Sequence, residues 1–514
     1  MDVWLIILAS LFACFSIKIL FTLLFSSKTT KKNEPAVKGE LPPGPPPLPI
    51  IGHLHLLPKS NIELRSLIFN LSQKYGPILT LRVGSKPVIF VTSYPIAHQA
   101  LVKNSAIFAN RPPIVPVSYV LSNKRKDIGG SPYGLTWRLL RRNLMSEALH
   151  PTGVKSYSFA RKRTLETMVN SFKQCSQHEA VRLFERLHQA VFSLFILMTY
   201  GDIGEDALKE VEHIQYTFLV SYAEFSVFAS WPRLGKLIYR NKWKRYTDFL
   251  RRQYDILMPY IRARQKLKQE KGKEVDLVTY TDTLLDLEIS EGASNQGKLV
   301  DADVLSLSSE FINAGADTTA TMFHWIMAYL VKYPRVQAKL FAEISQVVEQ
   351  GAEEVKEEDL QRIPYLKAVI LECLRMHPPN ASLVPHTNTE DMELCGYNIP
   401  KNTTVLIGTS IIGRDPTVWE NPTEFRPERM MGSSDDNSGE DVADVSSYKM
   451  LPFGAGRRMC PGYKYGTLIL EYFIANLVWN FEWKAVDDVD LTEKEEFLIV
   501  MKNPVRAKVI PRIK

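Results

Sequence analysis

Cysteine is scarce in this sequence, with 5 cysteines among 514 residues. They are too few and too scattered for a disulfide framework or a close-spaced zinc site, so both kinds of site are excluded. This usage predicts that the main domain occupies a reducing compartment. The cysteines are Cys14, Cys175, Cys373, Cys395 and Cys460.

A strong excess of one charge and an internal repeat are also missing. The 63 basic and 56 acidic residues leave a formal charge of +7 that is spread along the chain, with no block typical of a nucleic-acid-binding tail. We therefore expect no nucleic-acid partner, and the mild excess favours acidic partners or an anionic membrane surface. Because 45% of the residues are hydrophobic, the chain can form a substantial core.

A long hydrophobic run is present at residues 3–25. About 23 residues at about 1.5 Å each span about 34 Å, which exceeds a hydrocarbon layer of about 30 Å. Because Lys28, Lys31 and Lys32 follow the run, the positive-inside rule places the rest of the chain in the cytosol. We predict an uncleaved, single-pass anchor helix at residues 1–27. The alternative is a cleaved secretory signal, which would need a basic start and a shorter apolar run.

Residues 28–52 are basic and rich in proline, and they include the segment LPPGPPPLPIIG. Closely spaced prolines favour a stiff, extended conformation, so we predict a linker here, followed by a domain at residues 53–514. A ligand for a proline-binding module is the alternative interpretation.

The domain at residues 53–514 has long amphipathic helical runs and only brief strand patterns. This predicts a mainly α fold (α+β) with small sheets. The acidic segment 432–447 is rich in small residues, which predicts a mobile surface loop. The helical runs are residues 154–191, 206–240, 243–271 and 302–333.

The stretch PFGAGRRMCPG contains Cys460 in an unusual setting. Gly454 and Gly456 allow the backbone to turn tightly and to approach a bulky group. Arg457 and Arg458 add positive charge that favours the thiolate over the thiol. The alternative is a surface turn with an inert thiol.

The segment FINAGADTTATMF places Gly315 and Thr318 on one helical face. Glycine in a helix interior costs about 1 kcal/mol relative to alanine, and its missing side chain beside the Thr318 hydroxyl leaves room for a small molecule. The alternative is a helix with incidental threonines. The same face includes Val304, Leu307, Phe311 and Met322.

Two further motifs place side chains one helical turn apart. Glu372 and Arg375 suit an ion pair, and Arg429 can bond the same carboxylate. Trp137 and Arg141 offer an aromatic donor and a cation on one face, which suit an anionic group.

Together these motifs resemble those of a membrane-bound plant haem-thiolate monooxygenase, a cytochrome P-450 of the microsomal type, over the whole chain. The resemblance implies the cytochrome P-450 fold, one large helical domain with small β-sheets around a buried haem. In detail the chain is similar to the group related to chlorophyll-catabolite and bilin-oxidising enzymes, from which Lys464 and Tyr465 depart. By this resemblance Cys460 is the haem ligand and the metal ligand, the other haem contacts are Trp137, Arg141, His386, Phe453, Arg458 and Gly462, the catalytic residues are Gly315, Asp317 and Thr318, and the structural triad is Glu372, Arg375 and Arg429.

The resemblance also implies the partners. Electrons come from NADPH through a membrane-bound NADPH-cytochrome P-450 reductase, cytochrome b5 is a further candidate partner, and the anchor lies in the endoplasmic reticulum bilayer. Because the reductase has an acidic docking face, we expect a basic surface that includes Arg138, Arg142 and Lys464.

The implied reaction inserts one oxygen atom from O2 into a small molecule of plant specialised metabolism or pigment breakdown. Apolar and aromatic residues in four stretches predict a lipophilic or aromatic substrate. Two other functions stay open: rearrangement or dehydration of hydroperoxides without a reductase, and haem binding without turnover. Asp317 and Thr318 disfavour the first of these. The four stretches are residues 110–120, 216–231, 380–384 and 498–500.

The cytosolic orientation can be tested by glycosylation. Asn70, Asn380 and Asn402 each begin an Asn-x-Ser/Thr sequon, which is modified only in the secretory lumen. We expect no glycan at any of them in the native protein. A mass shift on glycosidase treatment would contradict the predicted orientation.

Overall fold

The computed structural model describes residues 16, 39–58, 60–112, 126–175, 180–225, 228, 232–271, 277–290, 296–431 and 449–512. Apart from Ser16, the predicted anchor at residues 1–27 lies outside the described residues, as do residues 28–38 of the predicted linker and the predicted loop at 432–447. Among the described residues, no helix is both long and apolar enough to cross a bilayer. One compact unit begins at Leu41.

Helices form most of this unit, which confirms the predicted mainly α fold. The α-helices are α1 (Asn61–Tyr75), α2 (Tyr94–His98), α3 (Leu135–Asn143), α4 (Pro151–Ser156), α5 (Ser158–Lys173), α6 (Leu183–Tyr200), α7 (Glu205–Phe225), α8 (Pro232–Ile238), α9 (Arg240–Lys271), α10 (Tyr280–Asp286), α11 (Asp301–Lys332), α12 (Pro334–Val347), α13 (Pro364–Met376), α14 (Thr409–Ile412) and α15 (Tyr463–Asn480).

The strands form small sheets at the edges of the helical body. β1, β2, β9 and β6 make a four-stranded sheet in which only β2 and β9 are parallel, and β10, β13 and β3 make a three-stranded one. The strands are β1 (Ile78–Val83), β2 (Lys86–Val91), β3 (Val181–Arg182), β4 (Glu288–Ser290), β5 (Gln296–Lys298), β6 (His386–Thr387), β7 (Met392–Leu394), β8 (Tyr397–Ile399), β9 (Thr404–Ile407), β10 (Phe481–Ala485), β11 (Glu493–Glu495), β12 (Ile499–Met501) and β13 (Arg506–Pro511).

Helix α11 passes through the main core. Every residue from Thr319 to Val331 is buried, so the second half of this helix contacts the core on all sides. Helices α6, α13 and α15 pack directly against it. The centre of the domain is therefore a bundle of long helices around α11.

The predicted helical run at residues 154–191 is interrupted in the structure. It divides into α4, α5 and α6, and Val181 and Arg182 pair with Ala507 and Arg506 of β13. The amphipathic pattern could not predict this break, because the pairing strand lies more than 300 residues along the chain.

Part of the predicted linker packs on the first sheet. The carbonyl of Pro43 accepts a hydrogen bond from the backbone N–H of Thr80 at 2.8 Å, and that of Pro42 accepts one from the Thr80 hydroxyl at 2.7 Å. A Cβ at Gly44 would lie 2.1 Å from the Thr80 carbonyl oxygen. Prolines lack an N–H but their carbonyls still accept, so this end of the segment docks on β1 and is not a free spacer.

A buried charge cluster connects α13 with residues 413–429, which precede the loop at residues 452–462 that contains Cys460 (the cysteine loop). Arg375 donates to both Glu372 carboxylate oxygens at 2.8 and 2.9 Å, and Arg429 donates to one of them at 2.9 Å. Arg375 also donates to the carbonyls of Gly413 and Pro422. The side chains of Glu372 and Arg375 are fully buried, so each charge depends on these partners.

Replacing Glu372 by glutamine is expected to destabilise the protein by about 3–5 kcal/mol, because two buried guanidinium groups would lose their counter-charge. Urea unfolding followed by circular dichroism measures this. Glu358→Gln is the matched control, since Glu358 is 78% exposed and its ion pair with Lys356 is 3.9 Å long. Equal stability of the two variants would contradict the structural role of the cluster.

Candidate active site

One cavity of about 570 Å³ lies between α11, the cysteine loop and the segment that leads into β6. Its wall includes Cys460 and Phe453 from the cysteine loop and Ala314 and Thr318 from α11. The structure therefore brings together a thiol and a hydroxyl that are more than 140 residues apart in sequence.

The cysteine loop is shaped by glycines at positive φ. Gly454 and Gly456 have φ angles of 70° and 68°, where a side chain is strained. A Cβ at Gly456 would lie 1.8 Å from the carbonyl oxygen of Leu101, so the loop packs directly on the backbone after α2. The N–H of Cys460 donates to the Phe453 carbonyl at 2.9 Å, which closes the loop on itself.

The electrostatic support of Cys460 differs from the prediction. Burial raises the pKa of the thiol, while the backbone N–H of Gly462 and the charge of Arg141 lower it. Arg457 instead lies exposed and donates to the Tyr133 hydroxyl. Arg141 thus supplies the charge that we had assigned to Arg457 and Arg458.

Three arginines line the cavity and donate to backbone carbonyls. Arg111 donates to Gly129, Val384 and Pro385, Arg458 donates to Ala109, Ile128 and Ser131, and Arg141 donates to Met459.

Among the described residues, none of these three guanidinium groups forms an ion pair with a carboxylate. Burial lowers the pKa of Arg111 to about 9 and that of Arg458 to about 10, and each is lowered further by a neighbouring arginine. The sequence analysis included Arg111 only as part of the substrate stretch 110–120 and not as a cation of the site, because an isolated arginine before two prolines carries no periodic signal.

The remaining predicted haem contacts occupy different positions. His386 lines the cavity, and its Nδ1 is 2.8 Å from the Phe108 carbonyl oxygen. Burial, aided by Arg111, lowers the pKa of His386 to about 3, so its imidazole is neutral at pH 7. The Trp137 indole N–H donates to the Ile128 carbonyl at 2.9 Å, and the Arg458 guanidinium lies 4.2 Å from the Trp137 ring centroid.

The cavity side of α11 is more polar than the face identified from the sequence. Val304, Leu307 and Phe311 of the predicted face lie in the core. Thr318 of the same face lies on the cavity wall. The Thr318 hydroxyl donates to the Ala314 carbonyl at 2.6 Å. The α11 residues on the cavity wall are Leu305, Ser306, Ser309, Glu310, Asn313, Ala314 and Thr318.

Gly315 is a packing position, so the predicted room beside Thr318 does not come from it. A Cβ built at Gly315 would lie 2.0 Å from a carbon of the Phe195 ring, on the side of α6. The Phe195 ring in turn contacts the Tyr465 ring, with centroids 6.0 Å apart. The close approach of α6 and α11 explains why this helix position has no side chain.

Two acidic residues of α11 have partners that the sequence did not reveal. Asp317 accepts a hydrogen bond from Nε2 of His188 at 3.0 Å. The buried carboxyl group of Glu310 lies 2.9 and 2.7 Å from the backbone nitrogens of Ile128 and Gly129. Burial raises the pKa of Glu310 to about 8.

The structure gives the exposure of the residues in the predicted reductase surface. Arg138, Arg142 and Lys464 are exposed, as a docking surface requires. Tyr465 is buried, with its hydroxyl 2.9 Å from the Met198 sulfur, so its difference from related sequences does not alter the surface.

The predicted substrate stretches contribute unequally to the cavity. Phe225 and Phe228 pack in a separate cluster with Tyr246, and residues 113–120 together with the Tyr222 side chain lie outside the described part of the chain. The wall residues that come from the predicted stretches are Arg111, Pro112, Phe218, Leu219, Asn380, Ser382, Leu383, Val384 and Leu498.

Comparison with known proteins agrees with this arrangement. The family model for cytochrome P-450 matches residues 42–511, which is most of the chain. This chain belongs to the cytochrome P-450 family. The match begins within the proline segment that packs on β1.

Relatives and solved structures extend over nearly the whole of this P-450. It is 44% identical over 493 residues to cytochrome P-450 89A9 of Arabidopsis thaliana, a match that covers 92% of this chain and 94% of the relative. It is 33% identical to norfluorocurarine oxidase of Strychnos sp, covering 98% of each chain. A zebra fish cytochrome P-450 solved with progesterone superposes with a TM-score of 0.73 at 23% identity, covering 89% of this chain and 100% of the other.

The protein is therefore a cytochrome P-450 monooxygenase with haem as cofactor, which the family binds through a cysteine thiolate. Its electrons come from NADPH through a reductase. The cavity residues fit haem, because Arg111, Arg141 and Arg458 offer positive charge, without an ion-pair partner among the described residues, to the two propionate groups. Cys460 offers one thiol on the same wall.

Gly315→Ala is expected to destabilise this P-450 by about 1–3 kcal/mol, because the added methyl group overlaps the Phe195 ring. The cost should fall when Phe195→Leu is combined with it, which a double-mutant cycle of urea unfolding measures. Gly466→Ala is the control. A Cβ built at Gly466 of α15 would lie 3.8 Å from the Thr319 hydroxyl oxygen, so alanine there should not destabilise the protein. An equal cost of Gly315→Ala in both backgrounds would refute the packing role.

Proposed function

We propose that this cytochrome P-450 inserts one oxygen atom from O2 into a lipophilic or aromatic small molecule of plant specialised metabolism or pigment breakdown. The observation that carries the proposal is the cavity that Cys460 and Thr318 share. Phe218, Leu219 and Leu498 give its wall the apolar surface that such a substrate needs.

The relatives support a role in specialised metabolism. Norfluorocurarine oxidase of Strychnos sp and costunolide synthase of Tanacetum parthenium, the latter 31% identical over 485 residues, carry the names of small-molecule enzymes. Pigment breakdown rests on the similarity in sequence to the bilin-oxidising group.

A polar strip in the same cavity supports a substrate that also has a hydrogen-bonding group. Gln253, Ser309 and Asn313 line the wall, and the Gln215 and Gln253 amides lie 3.2 and 3.5 Å from the Ser309 hydroxyl. Within the described structure the buried Gln253 Oε1 and Asn313 Oδ1 have no hydrogen-bond partner. The amide and hydroxyl side chains on this wall favour a substrate that also has a hydrogen-bonding group.

In this proposal Cys460 would be the residue that binds the haem iron. Its loop holds the thiolate, with support from the Gly462 N–H and the Arg141 charge, and Phe453 packs beside it. Bound haem supplies the activation of O2, and a thiolate ligand favours O–O cleavage. Family members that act on hydroperoxides usually lack the acid and threonine that this chain keeps at Asp317 and Thr318.

The propionate groups would meet Arg111, Arg141 and Arg458. His386 would not donate to them, because the single N–H of its neutral ring is donated from Nδ1 to the Phe108 carbonyl. A guanidinium group that already bonds carbonyls keeps further N–H groups for a carboxylate. Trp137 would act indirectly, because its stacked ring holds Arg458 in place.

Thr318 and Asp317 would transfer protons to the cavity. The Thr318 hydroxyl lies on the cavity wall and would turn from the Ala314 carbonyl to donate its hydrogen bond into the cavity. Asp317, one residue before Thr318, would supply protons from the side of α11 that contacts His188 of α6.

We further propose docking of the reductase on the exposed basic residues Arg138, Arg142 and Lys464, with cytochrome b5 as a second donor on the same surface. The helix at residues 1–27 would anchor the protein in the endoplasmic reticulum membrane, with the domain at 53–514 in the cytosol.

Cys460→Ser is expected to abolish the absorption band that the reduced, carbon-monoxide-bound protein owes to its thiolate ligand. Cys395→Ser is the control, because Cys395 is exposed and outside the cavity wall. A retained band in Cys460→Ser would mean that another group binds the iron.

The same preparation tests the reaction. Microsomes that contain the protein and a reductase should oxidise a plant metabolite extract only with NADPH and O2. Product formation from a hydroperoxide in the absence of both would favour the rearrangement reaction instead.

A further inference from the structure

A histidine bridges three helices directly behind the proposed catalytic acid. His188 of α6 lies with Nδ1 2.8 Å from a carboxylate oxygen of Glu212 on α7, and with Nε2 3.0 Å from a carboxylate oxygen of Asp317 on α11. A ring that contacts an acceptor at both nitrogens satisfies both only when it is protonated, because neutral imidazole has a single N–H.

The ring is held in this position by its neighbours. His188 stacks on Phe192, with centroids 5.8 Å apart, and contacts Phe184 at 5.7 Å, so aromatic rings one turn before and one turn after it limit its rotation. Its side chain is 11% exposed, while that of Asp317 is 13% exposed and that of Glu212 is 26% exposed. Glu212 thus forms the more accessible end of the bridge.

The electrostatics agree with a protonated ring. Burial lowers the pKa of His188, but the hydrogen bonds and charges of Asp317 and Glu212 outweigh it and raise the pKa to about 9. Tyr216 on α7 and His324 of α11 are further titratable groups nearby. Burial and the charges of Glu496 and Asp317 raise the pKa of Tyr216, while Lys494 lowers it, and the His324 ring contacts Phe184. His324 is neutral at pH 7, because burial lowers its pKa to about 4.

We propose that His188 is the positioning residue of Asp317. Its protonated ring bridges Asp317 to Glu212, and its charge determines the pH range in which Asp317 can supply protons to the cavity. The proposal rests on the proposed function of Asp317 in proton supply. His188 itself donates hydrogen bonds to Asp317 and Glu212 and is not part of the cavity wall.

The bridge makes a directional prediction about pH. Since the pKa of His188 is raised above the ordinary value of 6.5, its stabilising effect is complete below about pH 6.5 and is lost as pH rises through about 9. Replacing Glu212 by glutamine removes one of the two carboxylates that raise this pKa. In Glu212→Gln the stabilising effect of protonated His188 should therefore be lost at a lower pH than in the wild type.

The first experiment measures the bridge without turnover. The pKa of each histidine of the haem-loaded protein is followed by deuterium exchange at the imidazole C2 position with mass spectrometry. We expect His188 to titrate near pH 9 in the wild type and at least one pH unit lower in Glu212→Gln. Glu210→Gln, an exposed neighbour on α7, should leave His188 unchanged. An ordinary pKa of His188 in the wild type would overturn the proposal.

The second experiment measures the consequence for Asp317. With purified reductase and O2, the rate of NADPH oxidation is recorded from pH 6.5 to 9.5 for the wild type, His188→Gln, Glu212→Gln and Asp317→Asn. Near pH 7 we expect the rate of NADPH oxidation in His188→Gln to be about tenfold lower than in the wild type. The wild-type rate should fall as pH rises toward 9, whereas the rate of His188→Gln should not. In Glu212→Gln the rate should fall at a lower pH than in the wild type. His213→Gln, an exposed histidine beside Glu212, is the control and should match the wild type.

The outcomes separate the two proposals. If Asp317→Asn is slowed but His188→Gln matches the wild type in rate and pH profile, His188 has no positioning role and the function of Asp317 stands. If Asp317→Asn is not slowed, the proton role of Asp317 fails, and the positioning role fails with it. If His188→Gln loses the carbon-monoxide band, the pH profile of Glu212→Gln tests the positioning role instead, because the Glu212 side chain is partly exposed and lies outside the cavity wall. A wild-type pH profile in Glu212→Gln would then refute that role.

Discussion

Positive charge in the protein interior is the constraint around which the active site is organised. Arg111, Arg141 and Arg458 carry guanidinium groups to one cavity wall, where the described structure gives them carbonyl partners and no ion pair. Buried charge is costly, and the Asp127 carboxylate on the same wall offsets part of this cost for Arg111 and Arg458. In the proposed function the two propionates of haem would supply negative charge here, while burial, aided by Arg111, keeps His386 neutral.

Close backbone packing gives the cavity its shape. Gly456 lets the cysteine loop touch the carbonyl of Leu101, and Gly315 lets α11 approach the Phe195 ring of α6. Phe195 also meets Tyr465 at the start of the helix that follows the cysteine loop. The two sides of the cavity are thus connected through aromatic contacts, so that the positions of Cys460 and Thr318 depend on one shared core.

The sequence predicted the chemistry of the site better than its contacts. Motif spacing was enough to single out Cys460, Thr318 and the Glu372 cluster, because each belongs to a short local pattern. Arg111 and His188 have no such pattern, and they reach the site only because distant segments meet in the fold. The roles of Gly315 and Arg457 were misjudged for the same reason, since packing partners cannot be inferred from local spacing.

The sequence alone determined the family, the mainly helical fold and the candidate thiol ligand, because hydrophobic periodicity and fixed motifs are local properties of the chain. Tertiary structure alone decided which cations surround the cavity, which face of α11 lines it, and that His188 stands behind Asp317. Those facts depend on burial and on contacts between residues up to several hundred positions apart. Folding creates the low-dielectric surroundings in which such charges and hydrogen bonds become strong.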